Sequence, residues 1–412
     1  MEQQVNVFSY LGIDINDKYA MVSYYQTNMN EPETVGTVAG SELFQIPLVL
    51  AKRKEIGQWY YGDDARKKAK NTEMIVVDSL LNRAVAGEKI VIEDISYNAE
   101  ELLALFLKKV ISLPQKLGRS VSFNKVVITL ERLTKENMDM FWRIVPKMGL
   151  SAENFMVIDH KESFYYFALS QNEGLWLHDV FLFEYEKSAL NYMWLQRNTR
   201  TVPQVVSITE STRQSVPGEQ DTEFLQILQK AFQNKIVSTV YLVGNGFDGD
   251  WMRASLSFMC KGRRVFKGMN LYSKGACYAA AARAMEDKWN FIYMGENEMK
   301  FNLSLKVRDR GELAFYNLIS AGKNWFEISG ECDVILSDTT AIDFWKQLPN
   351  SREAVIETLE LTDMPKRPDR TTRIHIQAKP ISDSKIQITI KDVGFGELFR
   401  GTDKVWHYTM AM

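Results

Sequence analysis

The stretch YLGIDINDKYAMVSYY, Tyr10 to Tyr25, decides how the chain is read. Two apolar arms flank the polar tip Asn16-Asp17-Lys18, so the stretch is expected to be a β-hairpin. An apolar-Gly-apolar-Asp-apolar run ahead of a polar turn is also the pattern of a phosphate cradle, in which small residues let backbone N–H groups approach an anion. Here the tip carries no glycine. The hairpin is therefore either a phosphate loop or what is left of one.

Working outward from it, Asn98 with Glu101 reads as a capping box ahead of a helix whose apolar stripe is Leu102, Leu103, Phe106, Leu107, Val110 and Ile111. VVITL, Val126 to Leu130, is a continuous apolar run suited to a strand buried on both faces. Thr134 is positioned to cap the following helix, which Pro146 should end or kink. FMVID gives a further strand, and KESFYYFALS a short aromatic helix. Asp63 or Asp64, Asp221, and Asp248 or Asp250 are the expected caps of three other helices. Hairpin, strand, helix, strand, helix then recurs from DVFLFEYEKSALNYMWLQ onward, so an α/β region of two similar halves is expected.

From about Glu298 the apolar period changes to two. Phe301, Leu303, Leu305 and Val307 alternate with polar residues, as do Ile374, Ile376 and Ala378, then Ile386, Ile388 and Ile390 beyond the turn Ser382-Asp383-Ser384. A separate β-domain follows, with the polar segment Asp363 to Asp369 as a loop into its last strands. The expected division is 1–295, with halves of about 1–170 and 171–295, and 296–412.

The 412 residues exceed one ordinary core, and 45% hydrophobic with 25% charged residues is an average globular composition. A net charge of -2 supplies no field for nucleic acid or anionic membrane. Cys260, Cys277 and Cys332 form neither a metal-binding spacing nor a disulfide framework. With no signal-like start and no apolar run of membrane-spanning length, a soluble cytoplasmic protein is expected.

Four segments in order, GIDIN, then VVITLERLTKENMDMFWRIVPKMGLSAENFMVIDHKESFYYFAL, then VFLFEYEKSALNYMWL, then VYLVGNGFDGDW with NLYSKGACYAAAA, resemble the motifs of the actin, sugar-kinase and 70-kDa heat-shock chaperone superfamily. The chaperone branch is the nearest in pattern, and the resemblance covers roughly the first 290 residues. LELTDMPKRPDRTTRIHIQAKPISDSKIQITIKDVGFGEL resembles the end of the peptide-binding β-sandwich of the same chaperones. The resemblance implies an actin-like ATPase fold of two ribonuclease-H-like halves followed by a chaperone-like β-sandwich, in a bacterial family separate from the chaperones proper.

In that superfamily two Gly-rich hairpins face the phosphates and acidic residues hold hydrated magnesium. By resemblance, the nucleotide-site positions here are Gly12, Asp14, Asn16, Lys18, Gly244 and Gly246, with Asp14 reaching a metal through water. The second hairpin departs from the pattern, because Glu184-Tyr185-Glu186-Lys187-Ser188-Ala189 stands where the family has Asp, glycines and Thr. Two like charges about 4 Å apart repel by ~4 kcal/mol at an effective dielectric of about 20, enough to remove useful phosphate affinity unless Lys18 or Lys187 compensates. The second half is also too short for the lobe that closes over adenine. Phe164 to Phe167 either fill the core or plug the cleft, and the four histidines read as surface or packing residues.

The resulting expectation is a non-enzymatic scaffold or chaperone-like protein, a pseudo-ATPase without cofactor, that binds a protein or peptide through its β-domain. The alternative is a divergent ATPase using ATP and Mg. Oligomeric state and filament formation are left open.

Overall fold

Strands β1 (Ser9–Ile15) and β2 (Tyr19–Gln26) form the hairpin, with Gly12 opposite Ser23 and Asp14 opposite Met21. This computed structural model describes residues 7–37, 43–70, 73–116, 122–186, 189–212, 214–215, 219–337 and 339–411. The protein is mixed α/β and rich in strands, and it divides into two compact units. The first comprises 1–196 and 208–289, the second 197–207 and 290–412.

In the first unit β2 continues into the short β3 (Glu33–Thr34), while β1 pairs in parallel with β4 (Lys125–Leu130), and β4 with β5 (Phe155–Asp159). The strand order is β5-β4-β1-β2-β3. Val126, Val127 and Ile128 are fully buried, as their unbroken apolar run predicts for a strand covered on both faces. Between β3 and β4 lie a three-stranded sheet of Leu50–Arg53, Trp59–Tyr61 and Met74–Val77, a hairpin of Lys89–Ile92 with Ile95–Asn98, and helix α1 (Ala99–Ile111).

Asn98 caps α1 by accepting from Glu100 N, and Thr134 caps α2 (Lys135–Met148) by accepting from Asn137 N. Glu101 does not complete a capping box. It pairs with Lys147 while Glu100 takes two bonds from Arg143, so both acids tie α1 to α2. Pro146 sits in the last turn of α2, which closes on Gly149 in the left-handed region. Asp159 caps α3 (His160–Leu169) through Glu162 N.

The second half repeats this arrangement. β6 (Asp179–Glu186) pairs antiparallel with β7 (Ala189–Asn198) and parallel with β9 (Val237–Val243), which pairs in parallel with β10 (Arg264–Lys267). With β8 (Gln204–Glu210) the order is β10-β9-β6-β7-β8, the first sheet's order over again. Between β8 and helix α4 (Gln220–Ala231) the described residues contain only a two-residue strand, Gln214–Ser215, where the first half inserts its small sheet. Helix α5 (Arg253–Met259) joins β9 to β10, and α6 (Leu271–Ala284) follows.

Three expected caps are corrected. Asp63 and Asp64 lie in the first turn of a helix whose N-cap is Tyr61. Glu219, not Asp221, precedes α4; the Asp221 carboxylate instead accepts from Ala254 N and Ser255 N, at 2.7 and 2.8 Å, at the start of α5. Asp248 and Asp250 therefore do not cap α5, whose N-cap position is Met252. A cap can be supplied from another helix, which local spacing does not reveal.

β8 is divided between the two units, and its part in the second, within 197–207, sets Gln204, Val205 and Val206 beside Phe291, Ile292 and Tyr293 of β11 (Phe291–Tyr293). Its body is two four-stranded antiparallel sheets. One has the order β13-β12-β15-β16, from β12 (Asn302–Asp309), β13 (Glu312–Ile319), β15 (Ala341–Gln347) and β16 (Ala354–Glu360). The other has β14-β17-β18-β19, from β14 (Gly330–Leu336), β17 (Thr372–Ser382), β18 (Lys385–Asp392) and β19 (Val405–Ala411). Leu303, Leu305 and Phe344 of the first share one buried cluster with Ile374, Ile376, Ile386, Ile388 and Ile390 of the second, the alternation expected of facing sheets. In the loop after Leu361, Arg367 donates to both Asp392 oxygens at 2.8 Å, and Gly394 N, Thr402 N and Thr402 Oγ1 donate to the same carboxylate.

Candidate functional site

A cavity of about 370 Å³ opens beside the tip of the first hairpin in the first unit. Among the described residues its wall is acidic, formed by Asp14, Asp17, Glu131, Glu184 and Glu186, with Lys18 as the one lysine among them. Parallel pairing of β1 with β4 and of β6 with β9 brings the ends of both duplicated sheets to this wall, which is where open α/β sheets place ligands.

Asp14, the last residue but one of β1, is almost wholly buried, and its Oδ1 lies 2.9 Å from His160 Nε2 at the first residue of α3; the side chains are 2% and 8% exposed. The imidazole stacks on Tyr272 with centroids 3.7 Å apart and planes 8° from parallel. Burial pushes the His160 pKa down, but the charge and hydrogen bond of Asp14, with Glu184 and Glu131, overcome that and raise it. Tyr272 is raised well above the usual phenol value by burial, then by Glu184, Asp14, Glu210 and Glu131. Tyr19 is raised by burial, then by Asp14 and Glu186. Carboxylates thus dominate the described charged lining of the cavity.

The hairpin tip is internally satisfied. Asn16 Oδ1 accepts from Lys18 N at 2.9 Å and from Tyr19 N at 3.1 Å, an Asx-type turn, while Asn16 N donates to Tyr19 O. Asp17 Oδ1 accepts from Asn82 N. The Asn16, Lys18 and Tyr19 amides of the tip are thus engaged within the hairpin. On the opposite hairpin Glu184 and Glu186 turn toward the cavity, and Lys187 and Ser188 lie outside the described residues.

Residues 31–296 match the family model described as Family of unknown function (DUF5716) C-terminal, more than half of the chain, and residues 298–412 match Domain of unknown function (DUF8552). The chain belongs to the DUF5716 family. No curated protein matches this DUF5716 chain.

Of the positions named from sequence, Asp14, Asn16, Lys18 and Gly244 line the cavity of the DUF5716 region, whereas Gly12 and Gly246 do not. Gly12 lies beneath α6, where a Cβ would come within 2.1 Å of Ser273 O. Gly246 lies against Tyr185, whose ring a Cβ would meet at 2.5 Å. Both glycines serve close packing. Gly244, at φ 104, holds a backbone conformation reserved for glycine and would likewise meet Tyr185 O.

Tyr185 itself is buried against Phe247 and Trp251 and is not part of the wall, which the glutamates on either side of it line. Phe164 to Phe167 also stay out of the wall. Phe164 and Phe167 pack on Tyr241, Tyr165 accepts from Trp289 Nε1, and Tyr166 accepts from Arg283 Nε.

Sequence reasoning missed His160 and Tyr272. His178 and His407 are surface residues and His375 pairs with Asp333, as lone histidines usually do. The available signal for His160 was its place directly after the capping Asp159 at the end of a buried strand.

Tested for a polyphosphate with magnesium, the residues do not fit. The Lys18 and Tyr19 amides are engaged and offer no donor, the carboxylates of the wall repel an anion, and among the described residues no group of three or more His, Cys, Asp or Glu is placed to hold a metal ion. No described helix is long and apolar enough to cross a membrane.

Proposed function

We propose that this protein is a degenerate member of the actin and 70-kDa heat-shock chaperone superfamily whose first unit is a scaffold rather than an ATPase. The strand order β5-β4-β1-β2-β3, repeated as β10-β9-β6-β7-β8, with β1·β2, β1·β4 and β4·β5 matched in sense by β6·β7, β6·β9 and β9·β10, supports an actin-like fold of two ribonuclease-H-like halves. The insert present in the first half and reduced to Gln214–Ser215 in the described residues of the second fits a shortened upper lobe. Two facing four-stranded sheets in the second unit fit a chaperone-like β-sandwich, the part assigned here to a protein or peptide partner.

The observation that carries the non-enzymatic reading is the Asn16 carboxamide, which takes the Lys18 and Tyr19 amides that a phosphate would need. The alternative, a divergent Mg-ATP binder, has one observation in its favour, the open cavity beside Asp14. Thermal unfolding of the full chain separates them. A native-state ligand must raise stability, so millimolar Mg-ATP is expected to leave the melting temperature unchanged, and a rise that saturates with nucleotide overturns the proposal.

A further inference from the structure

In the second unit β13 is the terminal strand of its sheet, paired with β12 on one side and, among the described residues, with no strand on the other. The turn Arg310-Gly311 joins the two strands with φ positive at both residues, 49 and 94, so the flanking Asp309 and Glu312 form a hydrogen-bonded pair. The antiparallel ladder then alternates. Ala314 and Tyr316 bond to β12, while the N–H and C=O groups of Leu313 and Phe315 point to the open edge. Native edges are usually blunted by proline, a bulge or a charge on the strand, and Leu313 to Asn317 carries none of these. Beyond it β14 crowds the strand, since a Cβ on Gly330 would stand 2.0 Å from Leu318 O.

The two faces of this edge differ in charge. Leu305 is buried in the core, so Lys306 and Arg308 face outward beside Phe315 and Leu313, which remain 59% and 65% exposed. Phe315 meets Trp345 of β15 edge to face at 5.2 Å, and Lys306 Nζ lies over the same indole. Exposed Lys306, Arg308 and, in the turn, Arg310 have no carboxylate partner among the described residues. On the other face are Ala314 and Tyr316, whose hydroxyl donates to Glu331 O of β14, and at its start the carboxylate of Glu312.

We propose that the edge of β13 takes an extended acidic segment of a partner protein as an added strand, its main chain bonded to Leu313 and Phe315. Its carboxylates lie on the face of Arg308 and Lys306, and its alternate, apolar residues lie beside Ala314 and Tyr316, where a second row of acids would meet Glu312. Main-chain bonds hold such a strand and the side-chain alternation selects it. This rests on the assignment of the second unit to a protein or peptide partner.

The test is fluorescence anisotropy of a labelled octapeptide of alternating valine and glutamate, and of its valine-lysine counterpart, titrated with the full chain. Saturable binding of the acidic peptide alone is expected, weaker in high salt. Leu313→Pro removes an edge-facing N–H and none of the bonds to β12, a position where strands tolerate proline. It is expected to weaken binding by about tenfold with the melting temperature retained, and Leu313→Thr, which keeps the N–H, by less. Arg308→Glu, on the exposed surface, is expected to weaken binding by about tenfold even if the proline variant fails to fold. Acidic-peptide binding unchanged in Arg308→Glu and in folded Leu313→Pro, or binding of the basic peptide instead, overturns the edge proposal and leaves the peptide-partner assignment standing. Saturable binding of neither peptide overturns the proposal and counts against that assignment as well. A full chain that sediments as a dimer, and as a monomer in Leu313→Pro, overturns it in favour of a second copy at this edge.

Discussion

Asp14 Oδ1 and His160 Nε2, 146 positions apart in the chain, meet at 2.9 Å with both side chains nearly excluded from water. The pair joins the end of β1 to the first residue of α3, and it leaves either partner costly to remove, because a buried charge would be stranded.

His160→Phe keeps a ring over Tyr272 but removes the donor to Asp14. It is expected to destabilise the first unit by about 3–5 kcal/mol. The histidine pKa is raised on folding, so its contribution is complete below the ordinary value of 6.5 and is lost as pH rises through the raised folded value. Urea denaturation from pH 5.5 to 9 should show the gap between the two proteins shrinking as pH increases.

Arg367 and Asp392 are 6% and 0% exposed, and the carboxylate accepts five bonds. Burial alone would push Asp392 up, but Arg367, Thr402 and Gly394 together hold it at about 2. Arg367→Ala is expected to cost the second unit about 3–5 kcal/mol. The Asp392 contribution is present above the ordinary 3.8 and is lost as pH falls toward about 2. Acid unfolding followed by tryptophan fluorescence checks it: the variant's loss relative to the native protein should be largest above pH 4.

Gly275 of α6 faces Ser163 of α3 so closely that a Cβ would stand 2.2 Å from Ser163 O. Gly275→Ala forces the helices apart and is expected to destabilise the first unit by about 1–3 kcal/mol, read as a lowered melting temperature. Gly149→Ala provides the contrast. It meets nothing within 4 Å, and its cost comes from φ 82 alone.

Periodicity carried much of this structure. The alternation of Ile374, Ile376 and Ala378 with Ile386, Ile388 and Ile390 placed two strands and their inward face, and the unbroken apolar run of Val126 to Leu130 placed a strand covered on both sides. Hidden from it were contacts between distant segments. Arg367 sits in a polar loop that reads as solvent-facing, yet it closes on Asp392, and Asp221 begins one helix while capping another. Gly12 sits in a phosphate-loop pattern, but the helix that needs its missing side chain lies far along the chain. Asp14 was legible as a cavity-lining position from its place at the hairpin. His160 was not, because a lone histidine is defined by what surrounds it.

The seating of α6 on β1 also bears on how the chain is made. Ser23 bonds Ser273, 250 positions later, and Cys277 Sγ donates to Ser23 O. A ribosome therefore releases the opening hairpin long before the helix that covers it exists. During synthesis the first sheet waits with an apolar face bare, and pairings of such long sequence separation form slowly. A nascent chain halted before residue 271 should accordingly bind a hydrophobic dye or a holding chaperone, and lose that affinity once α6 has emerged.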